Sequence, residues 1–583
     1  MNIAVDHENE LHEPPVPELK NKTPIEAGTK PNDGYSIEVV TGPAVITFLN
    51  DPGVQKSWDL LFDSCSWATV FQGRQFIAAW YLAYSEEHLP ILITAVERGQ
   101  LKGALPLVLL NSKADDEDGA GKGKITGAGH YDGLYQAWLT NPSDGNVFIK
   151  KALAECMKKF PGHPISLRFL PPGTPLNWTK DDKQWRQYSI VQPHARPLIL
   201  LNGTEEEKIF QRRKHFKHKL NRLKRAGEVS FETVRDVETF KSSLHAMAIM
   251  YDFRHSALFN KNPFNEDPVK KDFLLELFRL QLLHVTVLKV DGKIIGGMVA
   301  VTDKGWVSLA AINCHSPVKA RWHSPGFLHF VLASKQFEEE GFRYFDLTPG
   351  YDAYKEELAN GHDEVIELVI SSEFTFRIKR KIKKWLHGRF IASGIRPMTV
   401  ELNIKRYLYL MRRRTAMSVI KILAKRFHKK RKPQLYQVPS YTLPTPAKIS
   451  LHKDNLTDLM QYNFGRGTDA TKWEFLGDAM FRLERSQHCY TWIENGRLMG
   501  CAWFGYPEPS NEKKENNNPE AGNTIEFQHI YCHSAAKDRL SDFLKGVIDA
   551  AVNKEGKNRI LTSDPLLSQA LEAAGFSNML VCQ

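Results

Sequence analysis

One ordered run of punctuated apolar segments, residues 284 to 358, most limits what this chain can become. His284-Val-Thr-Val-Leu-Lys-Val and Lys293-Ile-Ile-Gly-Gly-Met-Val-Ala-Val are separated by Asp291-Gly292. That pair accepts the backbone of a tight turn, so the two runs predict a hairpin. A third apolar run, Gly305-Trp-Val-Ser-Leu-Ala-Ala-Ile-Asn, follows, and then Arg321-Trp-His-Ser-Pro-Gly326-Phe-Leu opens a helical stretch that stops at Gly341. Unpaired amides at a helix start point at whatever sits there, so this basic Pro-Gly turn reads as an anion site. A strand ending in Asp346 then leads into Thr348-Pro-Gly350-Tyr351-Asp352-Ala-Tyr354-Lys355, a polar loop suited to a reaction site.

At 583 residues the chain is too long for one core, and about three domains are expected. No run of eighteen apolar residues is present to span a bilayer, and the first residues lack the basic start and apolar core of a secretory signal. A cytoplasmic protein is expected. The seven cysteines form no C-x-x-C pair, which supports neither a disulfide framework nor a zinc site, and no metal is expected. The net charge of +11 is concentrated between Arg377 and Lys432, where twenty Lys and Arg face one acid, Glu401. Ile378, Ile382, Trp385, Leu386 and then Tyr407, Leu408 and Met411 recur there at helical spacing. Residues 377–432 therefore read either as an interfacial amphipathic segment on an anionic inner-membrane surface, or as helices packing on flanking domains with a solvated basic face.

The hairpin, strand, helix and strand rhythm recurs. Residues 1–34 read as a disordered tail. The rest divides into an N-terminal block (35–203), a middle block (204–372), the basic helical segment (373–440) and a C-terminal block (441–583). The middle block opens with a capping-box spacing, Thr204 to Glu207, and a helix carrying eight Lys and Arg between Arg212 and Arg225. Phe216 and Leu220 are expected to face its core, leaving one or two of the cations to bind an anion. Helices are further expected over 238–252, 268–282 and 452–462.

The middle block resembles the GNAT acyltransferase fold, and within it the CelD-like acetyltransferase domain of cellulose and exopolysaccharide synthesis, a relative of the FemAB aminoacyltransferases. The resemblance rests on Arg212-Arg-Lys with Leu220-Asn-Arg-Leu-Lys-Arg-Ala-Gly227, Val290-Asp-Gly-Lys-Ile-Ile-Gly296, Ser324-Pro-Gly326-Phe-Leu328, Glu340-Gly341-Phe342, and Phe345-Asp-Leu-Thr-Pro-Gly350 with Tyr354-Lys355. It implies an α/β (α+β) fold with mixed sheets, tandem GNAT-like domains over the first two blocks and a degenerate third, in which Ala535-Ala-Lys stands where glycines would cradle a phosphate.

The same resemblance implies an enzyme that moves an acyl group from acetyl-CoA to an amine or hydroxyl of a small-molecule or saccharide-precursor acceptor. Arg321, Ser324, Gly326 and Phe327 would hold the donor's pyrophosphate, although Pro325 brings no amide and the second glycine of the usual pattern is absent. Asp346, Asp352 and His323 are base candidates, Tyr354 a proton donor and Lys355 a charge stabiliser. The active cleft is expected between the first two blocks. A FemAB-like transferase would use aminoacyl-tRNA instead, the one reading that brings in a nucleic acid, and a non-catalytic scaffold of polysaccharide machinery is the remaining alternative.

Overall fold

A computed structural model describes residues 36–110, 123–202, 206–319, 324–413, 434–437, 449–463, 470–505, 524–552, 559–573 and 576–579. The mixed α/β class expected from the sequence is the class found. Strands β1 (Ser36–Thr41), β2 (Leu89–Glu97), β3 (Gln100–Leu109), β4 (Ile125–Gly127), β5 (Leu139–Thr140), β6 (Ile165–Leu170) and β7 (Ser189–Leu200) come from the first half. From the second come β8 (Val229–Val234), β9 (Leu283–Val290), β10 (Lys293–Asp303), β11 (Trp306–His315), β12 (Tyr344–Asp346) and β13 (Gly361–Ile370).

All thirteen form one sheet in the order β1-β2-β3-β4-β6-β13-β7-β12-β11-β10-β9-β8, with β5 on β3. The order shows an exchange: β13 lies between β6 and β7, and β7 lies between β13 and β12. Each half completes its part of the sheet with a strand that comes late in the other, or feeds the other. The boundary at residue 203 thus divides the chain but not the sheet, because Leu198–Leu200 of β7 pair with Tyr344–Asp346.

Local chemistry explains the elements. β2 and β3 are near-continuous buried runs, as strands covered on both faces must be. The β9–β10 turn is where Asp291-Gly292 put it, with φ of 49° and 73°. Its Asp291 also accepts the Glu228 amide at 2.8 Å, and a Cβ on Gly227 (φ 154°) would run into that carboxylate, which is why Gly227 is glycine.

Seven helices matter below: α1 (Glu206–Lys224), α2 (Val237–Phe259), α3 (Pro325–Glu339), α4 (Ala353–Leu358), α5 (Phe374–Ala392), α6 (Pro397–Arg413) and α7 (Lys472–Glu484). Phe216 and Leu223 of α1 are buried and Leu220 packs with them, while Lys214, Lys217 and Lys224 are exposed. α2 begins where Asp236 accepts the Thr239 amide and ends at left-handed Asn260. It runs seven residues past the expected stop at 252, because Arg254-His255-Ser256 interrupts the apolar pattern but not the helix.

The last block forms a second, seven-stranded sheet from β14 (Gln434–Gln437), β15 (Leu451–Lys453), β16 (His488–Glu494), β17 (Arg497–Gly505), β18 (Thr524–Cys532), β19 (Arg559–Thr562) and β20 (Ser577–Met579). Its order is β15-β16-β17-β18-β19-β14-β20. β14, which the sequence division left in the basic segment, belongs to this sheet. The helix expected at 452–462 shortens to Leu456–Met460, and α7, which the sequence reading missed, starts from a capping box of Thr471 and Glu474.

Candidate functional site

β11 and β12 run parallel but pair only over Trp306–Ser308 and Tyr344–Asp346. β11 continues to His315 without β12 beside it, so the sheet opens at this point and α3 begins in front of the gap. A cleft of about 540 Å³ fills the opening. Its walls are Leu309 to His315 of β11, the first turn of α3 from Ser324 to Phe327, Thr348, Tyr354 and Glu357 beyond β12, and Tyr251, Arg254 and His255 of α2. The helix start read as an anion site and the loop after Asp346 read as a reaction site both contribute to this one cavity.

The helix start is built for close approach. Ser324 is left-handed (φ 44°), and Lys219 of α1 donates to its hydroxyl at 2.5 Å. Lys219 also lies 5.8 Å from the centroid of the Phe327 ring, against which His215 packs edge-on. Gly326 is constrained from behind, since a Cβ there would sit 3.1 Å from the His315 ring. The amides of Gly326 and Phe327 are at positions with no partner inside the helix. With Lys219 and Arg254 they make the cleft favourable for an anion.

The sequence-selected residues separate. Ser324, Gly326, Phe327 and Tyr354 line the cleft; Asp346, Asp352 and Lys355 do not. Arg321 and His323 lie outside the described residues. Asp346, expected to be open to an acceptor, is 1% exposed and engaged on all sides. It accepts the Tyr135 hydroxyl, the Thr348 amide at 2.7 Å and the Ser308 hydroxyl at 3.3 Å, with Arg196 Nη1 at 3.7 Å. Burial raises its pKa, and the Arg196 charge opposes that rise. Arg196 itself pairs with Asp363 (Nε to Oδ1, 2.6 Å) and lies between the rings of Tyr135 and Trp306. This is a buried network stitching the exchanged strands together.

Lys355 points inward too, 5% exposed, donating to the Thr348 carbonyl at 3.0 Å and hydroxyl at 2.8 Å. Burial lowers its pKa, with Asp352 at 3.6 Å working against that fall. Asp352 also holds Arg396 at 2.8 Å. Both residues shape the loop from behind rather than facing the cavity.

Tyr354 keeps its proton, because burial and then Asp352 push its pKa up to about 12. Burial takes the His255 and His315 imidazoles down to about 4, so both are neutral at pH 7. Glu357 is the one carboxylate among the described lining residues. Sequence reading missed Tyr251, Arg254, His255, Asn313, His315 and Glu357. The first three share one face of a helix that was ended too early, and spacing along its full length would have found them. The cleft also differs in place from expectation: among the described residues its lining comes from the second block alone, because β7 and β13 carry the first block to the far side of β12.

Residues 211–356 match the family described as Acetyltransferase (GNAT) domain, about a quarter of the chain. That stretch carries the described cleft lining except Glu357 and Leu358, and it is GNAT acyltransferase-like. No curated protein matches the chain. Among solved structures, the chain is similar to the C-terminal domain of a putative lysylphosphatidylglycerol synthetase from Agrobacterium fabrum, with 12% identity, 56% of this chain and 94% of that one covered, and a TM-score of 0.38. FemX is similar at 10% identity, 56% and 98% coverage and a TM-score of 0.37. A tandem GNAT protein from the clavulanic acid biosynthesis pathway is similar at 13% identity, 57% and 98% coverage and a TM-score of 0.33.

Proposed function

We propose that this chain transfers an acyl group from an acyl-CoA, acetyl-CoA first among them, to an amine or hydroxyl of an envelope or exopolysaccharide precursor of the CelD-like type. The observation that carries the reading is the meeting, in one opening of the sheet, of a helix start with unpaired amides and the Glu357 carboxylate of α4. The residues present fit an anionic donor: the Gly326 and Phe327 amides, Ser324 and Lys219 are arranged around the helix start, and 540 Å³ is within the range of small-molecule clefts. Pro325 leaves this cradle with fewer amides than a glycine-rich turn would have.

Glu357 takes the proton from the attacking acceptor as its nitrogen or oxygen bonds to the acyl carbon. Tyr354, still protonated at neutral pH, donates to the sulfur as the carbon–sulfur bond breaks. Asp346 and Lys355 act at one remove, fixing Thr348 and through it the loop on the acceptor side.

Calorimetric titration with acetyl-CoA tests the donor assignment. Wild type binds; Gly326→Asp, which places a carboxylate at the cradle, and Lys219→Gln, which removes the cation bonded to Ser324, bind less, with unchanged circular dichroism. No heat from wild type defeats the proposal.

A further inference from the structure

We propose that α5 and α6 form a hairpin that docks this protein on an anionic lipid bilayer. Phe374, Ile378, Ile382, Trp385 and Leu386 are all exposed, Trp385 to 63%. Their spacing puts them on one face of α5. On α6, Ile404, Tyr407, Leu408 and Met411 repeat the pattern, with Tyr407 63% exposed.

The opposite faces are tied to the body. On α5, Phe376 is buried with Ile190 and Val369, Arg380 bonds Glu367 at 2.7 Å, and Lys384 donates to the Val191 carbonyl at 2.7 Å. On α6, Tyr409 packs edge-on against Trp473 of α7, with Arg406 over the same ring. His387 and Glu401, 2.7 Å apart, join the two helices. Both helices are therefore placed by their inner faces, and their outer apolar stripes are left to solvent.

The charge on the hairpin names the occupant. From Phe374 to Arg413 there are twelve Lys and Arg (377, 379, 380, 381, 383, 384, 389, 396, 405, 406, 412 and 413) against one acid, Glu401. On the helical wheel Lys379 and Lys381 flank the α5 stripe on either side. Apolar and aromatic groups bordered by cations suit a surface with an apolar interior and an anionic skin. No helix among the described residues is long and apolar enough to cross a membrane, so the hairpin lies in the interface.

Docking also bears on the cleft. Arg396, in the turn between α5 and α6, holds Asp352 at 2.8 Å, directly before α4, whose Tyr354 and Glu357 line the cavity. The docked hairpin and the acceptor side of the cleft share this contact. A bilayer-borne acceptor would meet the loop there; that last step rests on the acyltransferase reading, whereas docking itself does not.

Vesicle flotation of the full chain tests the docking. The protein floats with phosphatidylcholine vesicles containing phosphatidylglycerol and stays below with phosphatidylcholine alone. Ile382→Glu with Trp385→Glu abolishes flotation while the melting curve stays that of wild type. Lys379→Gln, Lys381→Gln and Arg412→Gln together lower the partition coefficient on the order of 100-fold, as loss of three surface cations should. Failure of wild type to float, or wild-type flotation of both variants, overturns the proposal. So does a wild-type dimer that ignores vesicles and becomes monomeric in the glutamate variant, which would make this face a contact between copies. Acetyl-CoA titration of the glutamate variant separates the two ideas: donor binding persists whether or not docking fails.

Discussion

Arg196→Met is the sharpest perturbation of the framework behind the cleft. The change keeps most of the apolar stem between Tyr135 and Trp306 but removes the cation shared by Asp346 and Asp363. Asp363 is partly exposed and can rehydrate. Asp346, at 1% exposure, cannot. Leaving one member of a buried pair uncompensated costs about 3–5 kcal/mol. Asp346 escapes part of that cost by taking up a proton. A carboxyl whose folded pKa stands above its unfolded value stabilises the fold at low pH and loses that contribution as the pH rises through the folded pKa, so the deficit of the variant narrows as the pH falls.

The remedy is specific: adding Asp346→Asn to Arg196→Met removes the stranded charge and keeps an acceptor for Tyr135 or Thr348. Asp346→Asn alone costs about 1–2 kcal/mol, since Arg196 retains Asp363. Urea unfolding followed by tryptophan fluorescence, run on wild type, both single variants and the double, gives the coupling directly. The expected coupling is about 2 kcal/mol or more in favour of the double variant. Additive losses, or an Arg196→Met protein as stable as wild type, would refute the network.

Two further outcomes follow from the cleft. Burial lowers the pKa of His255 and His315 to about 4 and of His329, which bonds Thr286 at 2.7 Å, to about 3, against an ordinary 6.5. The unfolded chain takes up these protons first, so stability is complete above pH 6.5 and falls toward pH 4 by about 1.4 kcal/mol per pH unit for each group; His329→Gln should flatten the urea-midpoint profile between pH 6.5 and 4, and an unchanged slope excludes its contribution. Glu357→Gln should lower acceptor turnover by roughly 10²–10⁴ while donor affinity holds; loss of donor affinity instead would reassign Glu357 to binding.

What the sequence disclosed, and what it hid, follows from the range of each signal. The β9–β10 hairpin was legible because Asp291-Gly292 is a local requirement of the turn, and the α3 start because Pro and Gly punctuate locally. Phe216 and Leu220 announced the inner face of α1 by their spacing. The strand exchange was not legible: nothing in Ser189–Leu200 says that it pairs with both β12 and β13. Asp346 was misjudged for the same reason. A carboxylate at a strand end beside a loop looks open until Tyr135, two hundred residues earlier in the chain, closes over it. Arg254 and His255 were hidden differently, since polar residues that face a cavity erase the periodicity by which a helix is recognised.

The third block gains a role from that same helix. α7 packs along α2 and against the Pro317–Lys319 turn that precedes α3. Its Trp473 donates to the Ala257 carbonyl at 3.1 Å, one turn from Arg254 in the cleft wall. Glu484, at the other end of α7, has its pKa raised by burial, with Arg254 opposing the rise. A block with no glycine cradle of its own thus supports the outer side of the cleft wall and, through Tyr409 and Arg406 on Trp473, the inner side of the basic hairpin. Trp473 is where the cleft, the third block and the hairpin are held in common, and a large aromatic suits that place because it supplies an apolar face to two helices and an N–H for a carbonyl that burial would otherwise leave unpaired.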